Sequence, residues 1–351
     1  MRYVPVNQLR RGMVLGRDIT AAAGQVLLPR NTEFNEENIA YVAFLGVPGV
    51  HVDDEFSRDV EIREVVKPEL LTGTVRTIHE FYDLTGDKKT ANAPAEKKML
   101  KGVESIVDSI LSEDSVMYNM SELKTYDDYT YFHSANVAIL SGILGSRLGL
   151  SRESLKNLIM AGFLHDVGKL FIDPQLLNIP RRLTESERIR MMDHPRKGYE
   201  FLKEHYDFPE EVLETVFSHH EWFNGSGYPR GKAGEDIPIG GRIMKVADVY
   251  DAMTTKRPYH PAFLPSEVME YIMARSGLEF DPQVVDIMSQ EICVYPVGCE
   301  VELSNKRRGI VVENHRGSIL RPTVKMLDND EEINLTEDKS AFRLTITRLM
   351  V

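Results

Sequence analysis

Hydrophobic and polar positions divide the 351-residue chain into stretches of different periodicity. Over residues 1–62 the apolar residues come in short runs. "GMVLGRDI" and "GQVLLP" predict strands separated by turn residues, and "NEENIAYVAFLG" predicts one helix stopped at Gly46. From Lys67 to Glu291 the spacing turns helical. Met99, Val103, Ile106, Val107, Ile110 and Leu111 recur at three- and four-residue steps, the stripe of an amphipathic helix. After Tyr295-Pro296 the runs "CEVEL", "GIVVE", "ILRPTVKM" and "FRLTIT", broken by Asn, Gly and Asp, predict a small β-rich module. The expected layout is mainly α. It has a small mixed α/β module at 1–62, a helical connector or stalk at 67–118, a helical domain at 119–293 and a β-rich module at 295–351. The stalk is a candidate homodimer contact, and the two small ends are expected to pack together.

Composition narrows the chemistry more than the fold. Apolar residues make up 42% and charged residues 27%, a balance that argues against disorder. The net charge of −12, with no basic stripe, argues against binding duplex DNA or RNA. An anionic ligand must then be drawn in by a local positive feature, a metal or a few basic side chains. Cys293 and Cys299 lack metal-type or redox-type spacing, which suits a reducing cytoplasm. The apolar stretch "NVAILSGILGSRLGL" is too short to span a bilayer and carries Arg147, and Met-Arg-Tyr-Val-Pro opens no leader peptide. A soluble cytoplasmic protein without membrane insertion is expected.

Candidate chemistry gathers in the helical stretch. In "GFLHDVGKL" the apolar face of Leu155, Leu158, Ile159 and Gly162, continued at helical steps, reaches His165, Asp166 and Lys169. Burying an imidazole, a carboxylate and an ammonium unpartnered costs several kcal/mol, roughly, so they call for a shared partner such as a metal and an anionic substrate. His133 precedes Val137, Leu140, Leu144 and Leu148 on another inward face. His194, before Pro195, is either a cap for the helix of "TESERIRMMDH" or a metal ligand. "SHHEWFNGSGYP" sets His219 and His220 side by side, able to reach neighbouring metals, just before a glycine-rich turn. In "GGRIMKVADVYDAMTTKRPYH" two acids, Asp248 and Asp251, sit in an apolar helix, and spacing alone does not choose between them.

Taken in order, His165-Asp166 with Lys169, His194-Pro195, "HHEWFNGSGYP" and "VADVYDAMTTKRPY" resemble the HD-GYP domain, a branch of the HD metal-dependent phosphohydrolases; the resemblance runs over residues 120–293. It implies an HD-type all-helical catalytic domain that hydrolyses cyclic di-GMP with iron or manganese. By resemblance the metal ligands are His133, His165, Asp166, His194, His219, His220 and Asp248, with Asp166 bridging. Lys169 is implied to contact a substrate phosphate, Gly227, Tyr228 and Pro229 to shape the rim, and Arg257 to hold the second phosphate or a guanine. Two departures stand out. Members with three metals carry a Glu where this chain has Tyr129, and Asp127 and Asp128 fall off that helix face, so two metals are expected. His260 replaces the Arg or Lys that many members carry after "RPY". The competing expectations are a catalytically weak cyclic di-GMP receptor and an HD phosphohydrolase acting on another nucleotide.

Overall fold

The computed structural model describes residues 1–20, 25–62, 65–88, 93–112, 117, 129–177, 179, 181–255 and 262–350. The N-terminal module contains β1 (Arg2–Pro5), β2 (Val14–Leu15), β3 (Ile19–Thr20), β4 (Val26–Leu28), α1 (Glu36–Phe44) and β5 (Gly49–Asp53). β5 lies between β1 and β2 in a three-stranded antiparallel sheet, while β3 and β4 form a separate hairpin. Asn35 caps α1 reciprocally with Asn38, and Gly46 follows its end at a φ of 70° that favours glycine. Val4, Leu15, Ile19, Phe34, Val42, Val50 and Val52 form this module's own small core.

Two long helices follow, α2 (Pro68–Lys88) and α3 (Ala93–Ser112). Five of the six residues in the expected stripe, Met99, Val103, Ile106, Val107 and Ile110, are buried; Leu111 is exposed. With Val75, Ile78, Phe81 and Tyr82 of α2 they belong to the same core as the following helices. The stripe is therefore packed within the chain as part of the helical core.

The remaining helices are α4 (Tyr129–Arg147), α5 (Arg152–Leu164), α6 (Pro174–Leu177), α7 (Glu185–Met191), α8 (His194–His205), α9 (Glu210–Ser218), α10 (Ile239–Thr254), α11 (Pro265–Ala274) and α12 (Pro282–Glu291). α4 is the axis: residues 132–145 are buried without interruption, as expected of a helix apolar all round. α2, α5 and α10 pack around it. The 162–170 stretch departs from the sequence reading. α5 stops at Leu164, His165 is its C-cap, and residues 167–171 form a 3-10 turn. His165, Asp166 and Lys169 thus stand on a helix end and a tight turn, where one continuous stripe was expected.

The C-terminal module is a five-stranded antiparallel sheet, β6 (Glu300–Leu303), β7 (Arg308–Glu313), β8 (Thr323–Met326), β9 (Glu332–Asn334) and β10 (Ile346–Met350), in the order β10-β6-β7-β8-β9. "FRLTIT" contributes a strand only from Ile346, since residues 339–341 form a 3-10 turn and Phe342 is exposed. The two ends of the chain do meet. The Tyr3 amide donates to the Gly298 carbonyl at 2.8 Å, Arg2 reaches Glu300 at 3.4 Å, and Lys325 lies 3.5 Å from Asp59.

Candidate metal centre

Helix ends build the centre. α5, α7 and α9 end beside it and α8 begins there with His194, so three carbonyl ends and one amide end meet in one region. Each end carries a histidine whose Nδ1 meets the carbonyl three residues back: His165 with Gly162 at 2.8 Å, His194 with Met191 at 2.9 Å, His219 with Val216 at 2.6 Å. A carbonyl only accepts, so each Nδ1 donates and each Nε2 keeps its lone pair for the cavity. The capping reading of His194 fits this contact. Its Nδ1 caps a carbonyl of α7, and its other nitrogen points into the site.

His133 reaches the site from α4 and is oriented differently. Its Nδ1 lies 2.7 Å from Asp251 Oδ2, and Asp251 Oδ1 accepts from Asn136 Nδ2 at 3.0 Å. The Nε2 of His133 lies 3.2 Å from Asp248 Oδ1. The two acids of α10 are thus separated by tertiary contact. Asp248 faces the cavity, and the fully buried Asp251 stands behind His133 and fixes its ring.

The donors fall into two clusters, His133 with His165 and Asp248, and His194 with His219 and His220; within each, the donor atoms lie within 4.8 Å of one another. Asp166 stands between them. Its Oδ2 is 3.3 Å from His165 Nε2 and 4.0 Å from His133 Nε2, while its Oδ1 is 3.4 Å from His194 Nε2. Lys169 Nζ donates to Oδ2 at 2.5 Å. His219 and His220 follow the end of α9 with rings 4.2 Å apart; both belong to the second cluster, and His220 Nδ1 also lies 3.9 Å from Asp248 Oδ2 of the first.

Burial drives the imidazoles of His219 and His220 well below the usual histidine range and lowers His194 to about 4. These neutral rings offer lone pairs. His133 moves the other way: burial opposes its charge, but Asp248 and Asp251 outweigh that and raise it to about 9. Burial likewise opposes the charge on Asp166, yet Lys169 and His165 hold its carboxyl well below the ordinary range. The donor set fits a divalent metal on one further observation. His165 Nε2 is buried with no hydrogen-bond partner, a vacancy that native interiors rarely tolerate. All donors are nitrogen or oxygen, which suits borderline to hard cations.

The rim is built by "GSGYP". The Tyr228 ring stacks on His220 with centroids 4.8 Å apart, and its amide donates to the His220 carbonyl at 3.2 Å. A Cβ on Gly227 would stand 2.1 Å from the Trp222 nitrogen, so only glycine lets the turn fold back on the His pair. Gly168 has the same role on the other wall, where a Cβ would meet the His194 carbonyl oxygen at 1.9 Å. Glu221, unassigned from sequence, is buried and accepts the backbone amides of Arg230 at 2.7 Å and Lys232 at 3.1 Å. Its position directly after the His pair was the available signal. Arg257, His260, Asp127 and Asp128 lie outside the described residues, and Tyr129 opens α4.

Comparison with known proteins agrees with this geometry. A family model described as HD domain matches residues 107–284. A protein of Pseudomonas aeruginosa named as a cyclic di-GMP phosphodiesterase is 36% identical over 224 residues, covering 64% of this chain and 54% of the relative. The cyclic di-GMP phosphodiesterase response regulator RpfG of Xanthomonas campestris is 41% identical over 150 residues, covering 42% of this chain and 40% of the relative. The chain therefore spans about half the length of these relatives. An HDG"Y"P protein from Bdellovibrio bacteriovorus shares the fold, with a TM-score of 0.53 at 15% identity over 82% of this chain and 97% of that one. The histidine clusters beside Asp166 and the family match over half of the chain together assign it to the HD domain family.

Proposed function

We propose that the chain is a metal-dependent phosphodiesterase that cuts cyclic di-GMP to linear pGpG and, in a slower second cut, to GMP. The observation that carries this reading is the placement of Asp166 between two histidine-containing clusters on three helix ends. In this proposal His133, His165 and Asp248 hold one iron or manganese ion, His194, His219 and His220 hold a second, and Asp166 serves both. Bound there, such ions supply Lewis acidity toward a phosphoryl oxygen and make water a stronger nucleophile at neutral pH.

The chain's own residues do the rest. Lys169, about one-third exposed at the cavity edge, offers an ammonium to a phosphate oxygen, and its bond to Asp166 fixes that ammonium in place. Asp251 and Asn136 keep His133 oriented. Tyr228 forms an apolar wall on which a base can stack, while Gly227 and Pro229 shape the turn that carries it. Arg257 is assigned to the second phosphate or guanine by resemblance alone. Tyr129, in place of a carboxylate, supports two metals over three.

The test is to prepare the full chain anaerobically with iron or with manganese, count metal per chain, and follow cyclic di-GMP by chromatography. About two ions per chain and release of pGpG support the proposal. Tight binding without product under both metals would replace it with a receptor. Turnover confined to a different cyclic dinucleotide would retain the chemistry and overturn the substrate.

A further inference from the structure

Buried charge in the helical domain is not confined to the metal centre. On α10, Arg242, Lys245 and Asp248 follow one another at three-residue steps, each about one turn beyond the last. Asp248 lies beside His133 Nε2, whereas the two cations reach the turn between α11 and α12. Arg242 Nη1 meets Asp281 Oδ2 at 2.6 Å, and Lys245 Nζ meets Glu279 Oε1 at 2.9 Å. Lys245 and Glu279 are both buried. The Lys245 ammonium also stands 5.8 Å from the centre of the Trp222 ring and 5.9 Å from that of Phe280.

The same turn carries the root of the rim loop. Trp222 comes two residues after His220, and the next two amides, of Phe223 and Asn224, donate to the carbonyls of Glu279 at 3.2 Å and Leu278 at 2.9 Å. Beyond them the loop folds back until Tyr228 stacks on His220. The second oxygen of Glu279 is occupied as well, by the Tyr271 hydroxyl at 3.1 Å and Arg275 at 3.7 Å. The loop thus hangs on the turn, and the turn is tied to α10 one helical turn from Asp248.

A buried lysine–glutamate pair is a poor source of stability, because desolvation offsets the attraction and apolar side chains of similar volume often serve as well. What this pair supplies is direction. A hydrogen-bonded ammonium holds its acceptor in one place, where a purely apolar contact tolerates a slide. We infer that Lys245 is a positioning residue: through Glu279 it fixes the α11–α12 turn, and with it the rim loop and Tyr228, relative to the metal centre. Its effect on turnover rests on the phosphodiesterase reading above; its effect on the loop does not.

The experiment compares the full metal-loaded chain with Lys245→Met/Glu279→Leu, which removes both buried charges together. Melting temperature and metal content should be retained, because neither charge is left without its partner. Hydrogen–deuterium exchange over residues 222–228 should quicken by about tenfold, as expected of a loop that opens more easily. KM for cyclic di-GMP should rise several-fold with a smaller loss in kcat, and bis(p-nitrophenyl) phosphate, which is too small to need the rim, should be affected less. Glu279→Gln should change exchange in the same direction by less and serves if the double variant unfolds. Exchange over 222–228 equal to that of the parent chain would overturn the inference. So would a fall in kcat with KM unmoved, or a lower melting temperature as the sole effect, the mark of a pair that only stabilises. Should the parent chain cut no cyclic dinucleotide, the phosphodiesterase reading fails, and exchange over 222–228 by itself decides the role of Lys245.

Discussion

At the scale of single residues, the arrangement turns on a carboxylate with two oxygens facing two ways. Asp166 Oδ1 faces His194, and its Oδ2 faces His165 and Lys169. Asp166→Asn removes the charge that both clusters share. Metal content measured by elemental analysis should fall, and phosphodiesterase activity should drop on the order of a hundredfold or more. Asp251 holds the Nδ1 side of His133, away from its Nε2, which makes it a positioning residue. Asp251→Ala should weaken metal binding by about 10- to 100-fold in a chelator competition, with folding largely retained. Gly168 is constrained by space alone. Gly168→Ala drives a methyl into the His194 carbonyl, and urea unfolding should show a loss of roughly 1–3 kcal/mol.

At the scale of elements, helix termini and one loop do most of the positioning. α5 and α9 end at the site, and their C-cap histidines, with His194 at the start of α8, satisfy carbonyls that the ends of α5, α7 and α9 leave open. The rim loop is held by Glu221, whose two oxygens take the amides of Arg230 and Lys232. Glu221→Gln leaves one good acceptor where two are needed. Exchange of amides over 224–232 should quicken, and KM for the dinucleotide should rise more than kcat falls, because the loop shapes entry and touches no reacting atom. The HD and HH dipeptides were readable as site candidates because they break apolar stripes. That α5 stops at Leu164 was not readable, since a helical stripe and a helix end followed by a 3-10 turn share the same spacing over three or four residues.

At the scale of the whole molecule, the ends of the chain join and α2 runs from the N-terminal module into the helical core. Its Tyr82 hydroxyl donates to the Phe163 carbonyl at 3.0 Å, two residues before His165. The N-terminal module carries its own pH dependence through His51. Burial, with Arg17 and the amino terminus, lowers this imidazole to about 3. The unfolded chain binds the proton near pH 6.5 and the folded chain does not, so stability is complete above that value and declines as pH falls toward 3. His51→Gln should flatten this slope by at most about 1.4 kcal/mol per pH unit, measured by thermal melts at pH 4.5 to 7. Among the described residues no helix is long and apolar enough to cross a membrane.

By itself the sequence determined which residue types could meet a metal, the helical character of the middle of the chain and the β-rich character of its C-terminus, because periodicity and side-chain chemistry are local properties. It did not determine that Asp248 lies beside His133 Nε2 while Asp251 supports the ring from behind, or that the connector's stripe is buried in the chain's own core. Those outcomes depend on where α4, α9 and α10 cross and on which face each turns inward. Contacts between residues a hundred positions apart decide that, and no local pattern records them.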